Sequence, residues 1–174
     1  MKRKGSKGEI IVTKSNKEHA GAKRELVITR VFDAPRSRVF NAWTVQKDLA
    51  QWWGPKGFTN PVCELDVRPG GAILIHMRGP DNVVYPMKGV FHEIAPAERL
   101  VVTTSAFEDE EGNPLLEVLN TITFAEHNRK TKLTLQAVVV KSAPEVEAAL
   151  DGMEEGWSQS PDRLAEYVAA RAHS

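Results

Sequence analysis

One cysteine, Cys63, is all the chain has. That excludes an internal disulfide and leaves too few thiolates for a cysteine-based zinc site. No run of about 18 apolar residues occurs, so no segment reads as a membrane span. The basic N-terminus is not followed by an apolar stretch, so no secretory signal is read there. Net charge is missing as well, since 23 Lys and Arg balance 23 Asp and Glu. There is no G-x-S-x-G elbow, and Ser158 and Ser160 have no histidine nearby in sequence to act as a base. The five histidines make no metal pattern. His19 and His173 are terminal, His127 is in a turn, and His76 and His92 fall on different strands, with no third or fourth ligand to join them. What is left is a chain of 174 residues, enough for one domain with a core, or one domain plus a tail, and expected in the cytoplasm.

The balanced charge is unevenly placed. Residues 1–24 hold eight Lys and Arg against Glu9 and Glu18, a net of +6 that leaves −6 for the rest. Such a tail could meet nucleic acid, but it carries no aromatics, and a solvated flexible terminus is the expectation. Its segment "EIIVT" has enough β-character to pair along a sheet edge.

"RELVITRVF" alternates Leu26, Ile28 and Arg30 with Val27, Thr29 and Val31 and predicts a strand. Asp33 and Pro35 predict a helix start, with Asp33 as the capping carboxylate. Val39, Phe40 and Trp43 give that helix one apolar face. A second short helix carries Leu49, Trp52 and Trp53 and stops at Gly54-Pro55. Six strands follow at meander spacing, with Cys63, Leu65 and Val67 on one face of the first and Pro86 and Gly89 marking an edge or a bulge. Residues 144–172 return to helical spacing through Leu150, Met153, Trp157, Leu164 and Val168, and Pro161 predicts a kink or restart there. The fold class is therefore α+β: a curved antiparallel sheet wrapped around a long C-terminal helix, with two short helices after the first strand. Residues 1–24 are read as tail and 25–174 as one domain.

Chemistry is scarce in this pattern. Cys63 has nothing adjacent to lower its pKa and reads as a buried, unreactive thiol. Glu64 and Asp66 share a face that is read as solvated sheet rather than as an acid–base pair. "RPGG" is a hairpin turn with no helix N-terminus after it, so it is no phosphate loop. No catalytic residue, metal ligand or cofactor is assigned.

"FDAPRSRVFNAWT", "LAQWWGPKGF", "CELDVRPGG", "MRGPDN…YPMKGVFHEIAPAERLV" and "EEGWSQSPDRLAEYVA" together resemble the START-like, helix-grip superfamily. More narrowly, they resemble the family named after the C-terminal domain of the activator of heat-shock protein 90 ATPase. The likeness spans roughly residues 25 to 170. It implies a cavity between sheet and C-terminal helix suited to a small apolar molecule, and by its name a link to the stress response and a protein partner. It does not imply one activity. The chain departs from the family at Pro161, where an apolar residue is usual, and at Thr104 and Ala106, where bulky aromatics are common and whose small size implies a larger cavity.

On that basis Trp52 and Trp53, three and four residues after Leu49, are expected at the cavity mouth, with Trp52 at the rim and Trp53 deeper. A role for both as plain core is the alternative. Strand parity adds Ile73, Ile75, Met77, Tyr85, Met87, Phe91, Thr104, Ala106, Leu133 and Leu135, and the helix adds Met153 and Trp157. Tyr85 is the expected polar handle, and no charged residue is expected inside, which argues against an anionic ligand. The leading function is binding of a small apolar or aromatic molecule. A regulator of a protein partner is the alternative, and a cyclase- or hydrolase-type enzyme a third.

Overall fold

Strand β2 (Glu25–Phe32) alternates half-buried and buried residues along its whole length, as a strand with one face on a core must. The computed structural model describes residues 11–15 and 25–171, with the side chains of 25–147, 150, 156–157 and 159–170. Strand β1 (Ile11–Ser15) pairs antiparallel with β2, so the segment read as tail contributes an edge strand. After β2 come helices α1 (Arg36–Thr44) and α2 (Gln46–Trp52), then strands β3 (Thr59–Leu65), β4 (Ala72–Arg78), β5 (Val84–Ala95), β6 (Arg99–Glu108), β7 (Pro114–His127) and β8 (Lys130–Ser142). A short 3-10 turn, Pro144–Val146, leads into helix α3 (Glu147–Arg171). All neighbours are antiparallel, and the sheet order is β1-β2-β8-β7-β6-β5-β4-β3. The meander from β3 to β8 closes back on β2, which curves the sheet around α3.

Local chemistry explains the joints. Asn128 and Arg129 both take positive φ (52° and 68°), the two-residue turn whose twist suits a hairpin, and His127 pairs Lys130 across it. The start of α1 corrects the expected cap: Pro35 is the N-cap, no side chain caps it, and Asp33 is exposed. Strand β5 is interior, not an edge. Its bulge falls between Phe91 and Glu93, and Pro86 precedes the first β5–β6 pair. Gly89 is there for closeness, because a Cβ on it would sit 2.7 Å from the Thr103 carbonyl of β6.

Helix α3 runs unbroken through Pro161, against the restart expected. Tertiary packing outweighs propensity here. Pro161 is buried, as are Leu150, Ser160, Leu164 and Val168 along the same helix, and α3 packs on α1, α2 and β2. The core lies between these helices and the inner rows of the sheet, including Ile28, Phe32, Ile75, Phe91, Leu100, Ile122 and Leu135.

Candidate functional site

The spacing of α2 decides what its tryptophans do. Asp48, Leu49 and Trp52 form its buried face. Trp52 is 1% exposed and its Nε1 donates to the Ala42 carbonyl at 2.8 Å. Trp53 is the C-cap, in extended conformation (φ −63°, ψ 138°), so the chain turns and its half-buried ring swings off the helix. Trp52 is therefore core rather than rim, and Trp53 is the less buried ring of the pair.

The loop beyond is strapped to α3. Gly54 takes φ +94°, which a side chain disfavours, and Met77 Sδ stands within 3.4 Å of where a Cβ would be. The Gly54 carbonyl accepts from Ser160 Oγ at 3.0 Å. Arg163 Nη1 reaches the carbonyls of Trp53, Gly54 and Pro55 at 3.0, 3.1 and 2.9 Å, and Nη2 reaches that of Gln51 at 3.2 Å. One guanidinium so serves two carbonyls of the end of α2, those of Gln51 and Trp53, and two of the loop beyond it. Burial lowers the pKa of Arg163, and neighbouring Glu166 works the other way. Nearby, Tyr167 donates its hydroxyl to buried Asp48 Oδ1 at 2.5 Å, a second tie between α2 and α3.

All four tryptophans of the chain meet at this junction. Trp43, on α1, is the hub. Its ring centroid lies 4.9 Å from Trp52, 6.2 Å from Trp53 and 6.1 Å from Trp157, the last stacked at 17°. Trp53 meets Trp52 at 5.7 Å and Trp157 at 5.5 Å, both edge-on.

Between this cluster and the sheet lies a cavity of about 40 Å³. Of the residues expected there, Trp53, Ile73, Ile75, Met87, Phe91, Thr104, Leu135 and Trp157 line it. Trp43, Leu49, Leu65, Leu100, Val102, Asn120 and Ile122 also line it, beyond those expected. Trp52 and Leu133 line a second, smaller chamber instead. Met77, Tyr85 and Ala106 line neither. Tyr85 pairs with Phe58, ring centroids 6.1 Å apart, at the end of the β4–β5 hairpin. The side chain of Met153 is outside the described residues.

The cavity's polar side chains are Asn120 and Thr104, and Tyr85 is not among them. Buried Asn120 directs Nδ2 to Thr104 Oγ1 at 3.1 Å and to the carbonyls of Val102 and Val118, both at 3.2 Å. The signal was legible: in "LLEVLNTITF" Asn120 shares parity with Val118 and Ile122. Arg30 was readable in the same way, since it shares parity with Leu26 and Ile28. It is 4% exposed and bonded through Nη1 to Asp162 Oδ1 at 2.5 Å, so a charged side chain does lie inside.

Cys63 is half-buried against the core, and burial, helped by Glu64, pushes its pKa up to about 11. Val67, expected beside it, is exposed. His76 is half-buried, on the face of β4 opposite Ile73 and Ile75, and exposed His92 has Nε2 2.6 Å from Thr103 Oγ1. Among the described residues no group of three or more His, Cys, Asp or Glu could hold a metal ion, and no helix is long and apolar enough to cross a membrane.

An antiparallel sheet curved over a long C-terminal helix, with two short helices after its inner strand, defines a helix-grip protein of the START-like kind. Residues 33–169 match the family described as Activator of Hsp90 ATPase homolog 1-like protein, and the chain belongs to that family. Among solved structures it is similar to a protein of Mycobacterium smegmatis (29% identity, TM-score 0.69, covering 82% of this chain and 88% of that one). It is similar also to a protein of Chromobacterium violaceum (28%, TM-score 0.68, 83% and 96%). A protein of Arthrobacter aurescens (24%, TM-score 0.72, 84% and 86%) shares the fold. No curated protein matches. Fold and family fit a ligand-binding or a regulatory role.

Proposed function

We propose that this chain is a non-catalytic, cytoplasmic binding protein that holds a small apolar or aromatic molecule between its sheet and α3. The observation that carries this is the cavity wall: apolar side chains and indoles, with Thr104 and Asn120 as its polar groups. Apolar lining with few polar groups is what small-molecule sites use. A water needs about 10–15 Å³ of such space, so about 40 Å³ holds roughly three waters and no aromatic ring. Binding therefore requires the half-buried rings of Trp53 and Trp157 to swing outward, a motion the extended backbone at Trp53 permits. The high pKa of Cys63 speaks against a thiolate nucleophile in the same region.

Two experiments test this. A melt against a panel of small aromatics should find compounds that raise Tm with the logarithm of their concentration. At 100 times Kd the gain is about 2.7 kcal/mol, roughly 5–11 °C for a chain of this size. Mass spectrometry of the denatured protein should reveal a co-purifying apolar molecule. A panel with no effect and a protein that carries nothing would refute the reading. Regulation of a protein partner is the second reading, supported by the family's description. A pull-down that returns a chaperone would promote it.

A further inference from the structure

The amide of Asn120 is fixed in one orientation. Its Nδ2 lies 3.1 Å from Thr104 Oγ1 and 3.2 Å from the carbonyls of Val102 and Val118. Carbonyl oxygens only accept, so the NH2 side must face them, and a flipped amide would set Oδ1 against two acceptors. Oδ1 itself receives no hydrogen bond among the described residues. Yet it is not one of the buried atoms sealed away without a partner, which are Arg30 Nε, Trp43 Nε1 and Asn60 Oδ1, so it borders open space. Asn120 is 6% exposed and sits in the inner row of β7 between Val118 and Ile122, with the sheet behind it. The open space it lines is the larger cavity.

Thr104 completes the pair. It lines the same cavity from the neighbouring strand β6. Its Oγ1 accepts from Asn120, and among the described residues its hydroxyl hydrogen is donated to no other group. A free acceptor and a free donor thus stand side by side in a wall of apolar side chains and indoles. Oδ1 shares its carbon with Nδ2, and Nδ2 is 3.1 Å from Oγ1, so one oxygen atom can reach both at hydrogen-bonding distance.

A hydroxyl group satisfies both, donating to Oδ1 and accepting from Thr104. A ketone or ether oxygen accepts only and leaves Oδ1 bare. A carboxylate does the same, and it brings a charge against a wall with no charged side chain. The indoles of Trp43, Trp53 and Trp157 in the same wall favour a flat ring beside the hydroxyl.

We propose that Asn120 and Thr104 form a hydroxyl-binding pair and that the ligand is a phenol, its ring in the opened cavity and its hydroxyl against β6 and β7. The proposal rests on the ligand-binding reading above and narrows it to a class of ligand.

The test is calorimetric titration at neutral pH with para-ethylphenol, with para-ethyltoluene, which puts a methyl group where the phenol has its hydroxyl, and with para-ethylbenzoate. The phenol should bind about tenfold tighter than either or better, because each rival leaves the buried Oδ1 unpaired. Asn120→Leu removes the acceptor and should bring phenol and hydrocarbon within about threefold. Thr104→Val keeps the shape, removes the hydroxyl and should cut the preference about threefold. Equal affinities, or a preference for the hydrocarbon or the benzoate, would overturn the hydroxyl pair and leave the apolar site standing. A preference that both variants keep undiminished overturns it too, as does binding of none of the three probes while other aromatics raise Tm. If no aromatic of any kind binds, the functional reading falls with it. Should Asn120→Leu fail to fold, Thr104→Val and the affinity ratios in the parent protein decide.

Discussion

Replacing Arg163 by Met removes the guanidinium that gathers four carbonyls at the end of α2 and keeps most of the apolar stem. Nη1 has two hydrogens for the three carbonyls of Trp53, Gly54 and Pro55, so at most two strong bonds form there, and Nη2 adds an exposed one to Gln51. A hydrogen bond to a charged group contributes about 1.5–3 kcal/mol net, and the exposed one far less because water replaces it. The carbonyl of buried Gly54 keeps Ser160 as its donor, and the other freed carbonyls are only partly buried or exposed and can turn to solvent. The expected loss is therefore about 2–4 kcal/mol, a drop of about 4–16 °C in Tm for a chain of this size. Arg163→Lys, a point donor that reaches fewer carbonyls, should lose about half as much. Ser160→Ala should cost about 1 kcal/mol, and the double variant should depart from additivity, because Ser160 and Arg163 share the Gly54 oxygen. Urea melts of the four proteins read all of this. A loss below about 0.5 kcal/mol for Arg163→Met would refute the claim that this residue fastens α2 to α3.

Trp52→Ala should cost about 3–5 kcal/mol, because a ring 1% exposed leaves a cavity, whereas Trp53→Ala should cost much less and act mainly on ligand affinity; paired melting and titration separate the two. Pro161→Ala restores a helical N–H where propensity favours alanine by about 3 kcal/mol but gives up buried contacts, so a net gain of about 1 kcal/mol is expected in a thermal melt. Cys63 should resist alkylation at pH 8 in the folded protein and react quickly once unfolded. Its folded pKa stands above the unfolded one, so the unfolded thiol ionises first and stability falls as pH rises from about 9 towards about 11. A Cys63→Ala variant that shows the same decline would remove the thiol as its cause.

The order of elements was legible because each segment repeats one period. Alternation marked β2 to β8, and spacings of three and four marked the helices. Even Arg30 and Asn120 declared their inward direction by parity, but nothing local said why a charge or an amide would be tolerated there. Arg30 depends on Asp162, 132 residues further along, and Asn120 on Thr104 across a strand pair. The roles of Trp52 and Trp53 turned on where α2 ends, and one residue reverses which ring is buried. Trp43 could not be placed at the cavity because only the tertiary arrangement sets α1 against α3. Tyr85 failed the opposite way: its parity is inward, yet near the start of its strand it meets Phe58 and lines neither cavity. Pro161 breaks helices by propensity, whereas this helix continues through it with Pro161 buried against its surroundings.

The crowding of all four indoles has an optical consequence. Centroids 4.9–6.2 Å apart are close enough for the transition dipoles to couple, so light absorbed by one ring is shared among them before it is emitted. The chain has no tryptophan elsewhere to report on another region. Its near-ultraviolet circular dichroism should carry an exciton signature from this one junction. That signature should vanish only when the four-ring cluster as a whole comes apart, even while the strands of the sheet remain paired.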